Sequence, residues 1–153
     1  MTDYSKLVES AKPLHELVYV SASSDLWDAS TLEDILVVSK KRNLKNNITG
    51  MLLYWQGGII QALEGEKEQV NATFQRISRD RRHKRVTLLH EQSISTRTFK
   101  DWAMGVARCS IEELAAELGI FTLDDQAALY NHIIENTQAA ARLLGSFAHR
   151  STR

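Results

Sequence analysis

The chain has 153 residues, enough to bury a core without a disulfide or metal staple. Lys plus Arg and Asp plus Glu each number 19, and this zero formal charge argues against a general binder of nucleic acid or membrane surfaces. No apolar run reaches the roughly 18 residues of a membrane helix, the start MTDYSKLVES lacks signal-peptide order, and Cys109 has no internal disulfide partner. A soluble cytoplasmic protein is expected.

In chain order, residues 1–14 read as an N-terminal extension containing Pro13, and LHELVYVSAS reads as a strand. On that strand Leu17, Tyr19 and Ser21 point one way, and Val18 and Val20 the other. Ser30 with Glu33 forms a capping box, predicting a helix start. Leu32, Ile35, Leu36 and Ser39 share one face of this helix, and Arg42 and Asn43 continue it, so the stripe begins oily and ends polar. The segment ITGMLLYWQGGIIQALEG predicts two strands joined at Gly57-Gly58. Ile59, Gln61 and Leu63 share one face of the second strand, Ile60 and Ala62 the other.

A second helix is expected from about Glu66 to Asp80, with Val70, Phe74 and Ile77 at core spacing. Arg76 and Asp80 lie four apart on its flank, the spacing of a surface ion pair. Arg79, Arg81, Arg82, Lys84 and Arg85 then read as a solvated loop. RVTLLHEQSI and WAMGVA give two more strands, the last placing Trp102, Met104 and Val106 on one face. The order βαββαββ implies an α+β, ferredoxin-like sheet with both helices on one face. The other face also carries apolar residues and needs a cover. Ser110 with Glu113 caps a short helix that begins one. Thr122 with Asp125 starts a longer helix striped by Leu129, Ile133, Ala140 and Leu144, which closes at Gly145 and the HRSTR end. The expected units are thus 15–109, a helical cap over 110–147, and a frayed tail over 148–153.

Catalytic signatures are absent from the sequence. His15, His83, His90, His132 and His149 are scattered without metal-ligand spacing, and no GxSxG, phosphate loop or GxGxxG occurs. Cys109 reads as a packed thiol. Glu64 and Glu66 flank Gly65 and are expected to be solvated turn residues. More informative are Tyr19 and Gln61, polar groups among apolar neighbours on strands. Gln61 must find partners, because an unpaired buried amide costs about 1–3 kcal/mol; structural glue and ligand contact are equal readings at this point. If the first helix packs over the face bearing Tyr19 and Gln61, Ser39, Arg42 and Asn43 converge on an oily slot suited to a planar ring with polar edges.

LVYVS at 17–21, Asn43 with Ile48-Thr49-Gly50, IIQALEGE at 59–66, FQRISRDRRH at 74–83 and FKDWAMGV ending at Val106 together resemble the BLUF domains, blue-light sensors using flavin adenine dinucleotide. The resemblance implies a flavin ring between the two helices and the sheet. It makes Tyr19 the electron-donating phenol, Gln61 the bridge from that phenol to the flavin N5/O4 edge, and Asn43 the partner of the pyrimidine edge. Ser21, Ser39, Arg76 and Asp80 match positions around the ring, and Ile35, Leu52 and Ile77 would give apolar contact. Ile59 stands where relatives often carry phenylalanine, and Arg42 occupies a variable polar position.

The mechanism implied by the resemblance is electron and proton transfer from Tyr19 through Gln61, after which the Gln61 amide is left rotated or tautomerised. The family resemblance implicates Trp102 and Met104 as relay and leaves open which of them faces the ring. FAD is the implied flavin, with FMN and riboflavin as alternatives. A non-enzymatic photoreceptor that signals to a partner protein or changes its homo-oligomeric state is expected. The competing readings are a flavin redox carrier and a ligand-free interaction module.

Overall fold

The computed structural model describes residues 13–25, 27–118, 126–135 and 137–150. Most of the predicted extension, Thr122 and Asp125, the Leu129 side chain and residues 151–153 lie outside the described residues.

Strand β1 (Leu14–Ser23) is followed by helix α1 (Ala29–Asn46), the hairpin β2 (Thr49–Trp55) and β3 (Gly58–Glu66), and helix α2 (Lys67–Ser78). Next come β4 (His83–Ile94), β5 (Gly105–Arg108) and helices α3 (Ile111–Leu118), α4 (Gln126–Glu135) and α5 (Thr137–Arg150). The five strands lie in the order β4-β1-β3-β2-β5. Every neighbouring pair is antiparallel except β2 and β5, which are parallel. This is the expected ferredoxin-like α+β architecture, extended by one edge strand.

Several boundaries move, each for a local reason. The N-cap of α1 is Asp28, whose carboxylate accepts from the Thr31 amide at 2.7 Å; Ser30 already lies inside the helix. An anionic cap also complements the helix N-terminus. The hairpin turns at Gln56-Gly57, with φ of 32° and 89°, rather than at Gly57-Gly58. Gly58 belongs to β3, and its missing side chain serves packing instead: a Cβ there would sit 2.2 Å from the Trp55 indole. The predicted long tail helix is described as two helical stretches, α4 and α5, on either side of residue 136, which lies outside the described residues; Gly145 lies within α5, which runs to Arg150. The Ser110–Glu113 box forms as expected, its reciprocal bonds measuring 3.1 and 3.2 Å.

Strand alternation divides the core in two. Leu17, Tyr19, Leu52, Ile59 and Leu63 face α1 and α2, packing with Leu32, Ile35 and Val70. Val18, Val20, Met51, Leu53, Trp55, Ile60 and Ala62 face the C-terminal helices, packing with Leu114, Ile133, Ala140, Leu143, Leu144 and Phe147. The cover demanded by the second apolar face is therefore present. A fully buried aliphatic side chain contributes about 1.5–3 kcal/mol, so this second layer carries much of the stability.

Candidate functional site

Antiparallel register puts Tyr19 directly opposite Gln61, and Gln61 opposite Leu52 on its other side. The two polar side chains share the face that α1 and α2 cover, so they meet without any loop. Tyr19 is wholly buried, and its Oη donates to Gln61 Oε1. Gln61 Nε2 points to Met104 Sδ at 3.2 Å, a weak acceptor. Burial, reinforced by the charge of Asp80, pushes the Tyr19 phenol far above its usual range, so it stands as a neutral donor.

A cleft between α1 and α2 opens above this pair. Its floor is Gln61, Leu52, Leu63 and Met104; one wall is Ile35, Val38, Ser39, Arg42 and Asn43, and the other Thr73, Arg76, Ile77 and Asp80. The enclosed part measures about 60 Å³, and exposed Val38 and Arg42 stand at the mouth. Asn43, on the last turns of α1, is buried and donates through Nδ2 to the Ala103 carbonyl at 2.6 Å. Thr73 Oγ1 is buried without a partner. An orphan hydroxyl and an amide N–H facing only a thioether are polar capacity awaiting a ligand with hydrogen-bonding edges.

Eight of the sequence-predicted residues line this cleft: Ile35, Ser39, Asn43 and Leu52, with Gln61, Arg76, Ile77 and Asp80. Tyr19 lies behind Gln61. Ser21 does not line the cleft; its hydroxyl meets His83 Nδ1 at 2.9 Å. Burial holds the His83 imidazole down at about 4, so it is neutral near pH 7. Asp80 does not take up the ion-pair spacing with Arg76 but binds Arg82, with guanidinium contacts of 2.6–3.2 Å and a backbone bond of 2.9 Å. Those bonds lower the Asp80 carboxyl to about 2. The turn after α2 brings Arg82 back over Asp80, whereas Arg76 is left facing Arg42; burial and that second cation lower its pKa.

Thr73, Val38, Arg82 and His83 also line the cleft and escape the sequence reading. Thr73 was findable, since Val70, Thr73 and Ile77 share one helical face. Trp102 and Met104 do not share a face. Residues 101–104 form a turn and bend before β5 begins at Gly105, so the alternation expected for WAMGVA does not start until the strand does. Met104 packs on the cleft side, and Trp102 stacks on Phe99 (6.4 Å) against the core beneath the C-terminal helices. Glu64, expected in a solvated turn, is fully buried within β3. Cys109 is a thiol packed against the second core, as expected, and burial with the nearby Glu113 charge pushes it up to about 12.

A family model for BLUF, described as sensors of blue-light using FAD, matches residues 14–105. The chain belongs to the BLUF family. The photoactivated adenylate cyclase subunit beta of Euglena gracilis is 33% identical over 92 residues, covering 60% of this chain and 11% of that protein. The blue light- and temperature-regulated antirepressor BluF of Escherichia coli K12 is 33% identical over 70 residues, covering 46% of this chain and 17% of the relative. The chain thus spans a minor fraction of these curated relatives. It is nearly coextensive with the BLUF protein BlrB, whose dark-state structure matches with a TM-score of 0.71 at 28% identity, covering 92% of this chain and 98% of that one. Among the described residues no helix is long and apolar enough to cross a membrane, and no group of His, Cys, Asp and Glu is placed to hold a metal.

Proposed function

We propose that this BLUF chain is a blue-light photoreceptor whose switch is the Tyr19–Gln61 pair, acting by signalling rather than by catalysis. The observation that carries this reading is the buried phenol bonded to an amide whose remaining donor faces only the Met104 sulfur. When bound, FAD supplies the blue absorption and an excited-state oxidant. The cleft residues fit its ring: Asn43 and Gln61 would hold its polar edges, Ile35, Leu52 and Ile77 its apolar faces, and Ser39 and Thr73 its remaining acceptors. Asp80, Ser21 and His83 fix the surroundings of Tyr19.

Arg42 and Arg76, with Arg79, also line a more open groove continuous with the cleft. Asp80, the carboxylate on the same groove, is bound by Arg82, and the three guanidiniums suit the phosphates of FAD, which favours it over riboflavin.

The chain's own part follows from its hydrogen bonds. Tyr19 has its ionisation suppressed by burial, so its proton leaves Oη only when an electron leaves as well. Gln61 Oε1 is the acceptor already in place. Rotation or tautomerism of the Gln61 amide then exchanges donor for acceptor at three points: toward Tyr19, toward the cleft and toward Met104. A second element must respond to that exchange. Met104 is the cleft-side candidate, and Trp102 belongs to the opposite core. We assign residues 15–109 to light sensing and 110–147 to output, toward a partner protein or a second copy, in the cytoplasm.

Illumination of the purified flavin-loaded chain tests this. A reversible red shift of the flavin bands is expected. An unchanged or permanently bleached flavin would favour the redox-carrier reading, and a colourless protein unable to bind flavin the interaction-module reading.

A further inference from the structure

Among the described residues Glu64 is the only acid that is fully buried. A buried carboxylate is costly unless its oxygens are satisfied. Here Oε1 accepts from Thr49 Oγ1 at 3.0 Å and from the Phe99 amide at 2.9 Å, while Oε2 accepts from the Thr98 amide at 2.7 Å. Arg97 closes the knot from outside. It donates to Thr49 Oγ1 at 2.9 Å, to the Glu64 carbonyl at 3.1 Å and to the Asn47 carbonyl at 2.8 Å. The end of α1, the start of β2, the end of β3 and the loop before β5 are thereby joined at one charged centre.

The loop held at this knot then crosses from one face of the sheet to the other. Phe99 is buried and stacks with Trp102 in the core beneath the C-terminal helices. The Trp102 carbonyl accepts from the Gly50 amide at 3.1 Å, and the Ala103 carbonyl from Asn43 Nδ2 at 2.6 Å. Met104 then enters the opposite core, its sulfur beside Gln61. One short segment thus touches Gln61 at its end and the helical cap at its middle.

We propose that Glu64 is a positioning residue of the switch. By pinning the Thr98 and Phe99 amides it leaves the segment to Met104 without slack, so that displacement of Met104 is passed to Phe99 and Trp102 and from them to the C-terminal helices. This rests on the photoreceptor reading above. Packed segments shift between discrete arrangements rather than deforming smoothly, and a segment fixed at one end transmits a push that a free loop would absorb.

The test uses the full flavin-loaded chain with Glu64→Gln, which keeps shape but replaces one strong acceptor by an amide donor. The reversible red shift should persist, because Tyr19 and Gln61 are untouched. Return to the dark state should slow by about tenfold, the effect of losing one charge-assisted bond that sets the dark position of Met104. The light-minus-dark difference in hydrogen exchange over Phe99–Trp102, α3 and α5 should vanish. Dark recovery within about twofold of wild type, with that exchange difference intact, would overturn the proposal even if Tm falls, since a merely structural Glu64 would change Tm alone. Should Glu64→Gln fail to fold, Thr49→Val decides by the same readouts, with a smaller slowing expected, because at constant shape it removes one donor to the carboxylate and one acceptor of Arg97 while both backbone amides still hold Glu64. A wild-type chain with no reversible shift would refute the photoreceptor reading instead.

Discussion

The two faces of the sheet are built from the same strands and differ in what they bury. Toward α3–α5 the strands present Val18, Val20, Leu53, Ile60 and Ala62, an apolar layer closed by leucines and Phe147. Toward α1 and α2 the alternate positions include Tyr19, Ser21 and Gln61, all buried, and the covering helices add Asn43 and Thr73. Polar groups lower the stability that face could have had, because each must be partnered or remain costly. They make it the face that can change state, since hydrogen bonds can be exchanged while packed methyl groups cannot. The loop from Thr98 to Met104 joins the two, with aromatic rings in the inert layer and a thioether in the responsive one.

The contrast predicts separable damage. The largest effect on stability belongs to the apolar face: Leu53→Ala should cost about 2–5 kcal/mol by denaturant unfolding while leaving the flavin spectrum of the folded fraction unchanged. A spectral change as large as that of a cleft variant would blur the distinction between faces.

Acid should act through the cleft face. His83 titrates at about 4 when folded and at 6.5 unfolded, so below 6.5 the unfolded chain binds a proton that the folded chain refuses. Stability therefore falls as pH drops from 6.5 toward 4, by roughly 1–3 kcal/mol. Asp80, lowered from 3.8 to about 2, adds a loss only below that window. Melting of wild type and His83→Asn across the series should show the steeper fall in wild type; parallel curves would remove His83 from the account.

A smaller effect is expected at the rim of the ring site. Asn43→Ala should weaken flavin binding by about tenfold, measured by fluorescence titration, since one buried hydrogen-bonding group is lost. Unaltered affinity and spectrum would take Asn43 out of the site.

Much of this division is legible in the sequence. Period-two alternation assigns Tyr19 and Gln61 to one face and Val18, Val20, Ile60 and Ala62 to the other, because register shifts of one residue would turn the core outward. What escapes is decided by contacts distant in sequence. Glu64 reads as a turn acid beside Gly65, and only the Thr98 and Phe99 amides, delivered by a loop after β4, make its burial tolerable. Trp102 and Met104 separate because the backbone bends before β5, and Asp80 takes Arg82 because the chain doubles back after α2. Local spacing carries no trace of those returns.

The Tyr19–Gln61 bond is where the two halves of the account meet, and light-minus-dark absorption of Tyr19→Phe and Gln61→Leu tests it most directly. Both variants should retain flavin and unfold close to wild type, and both should lose the reversible red shift that the wild-type chain shows under the same illumination. A normal, reversible shift in either flavin-loaded variant would contradict the assignment of the switch to this pair.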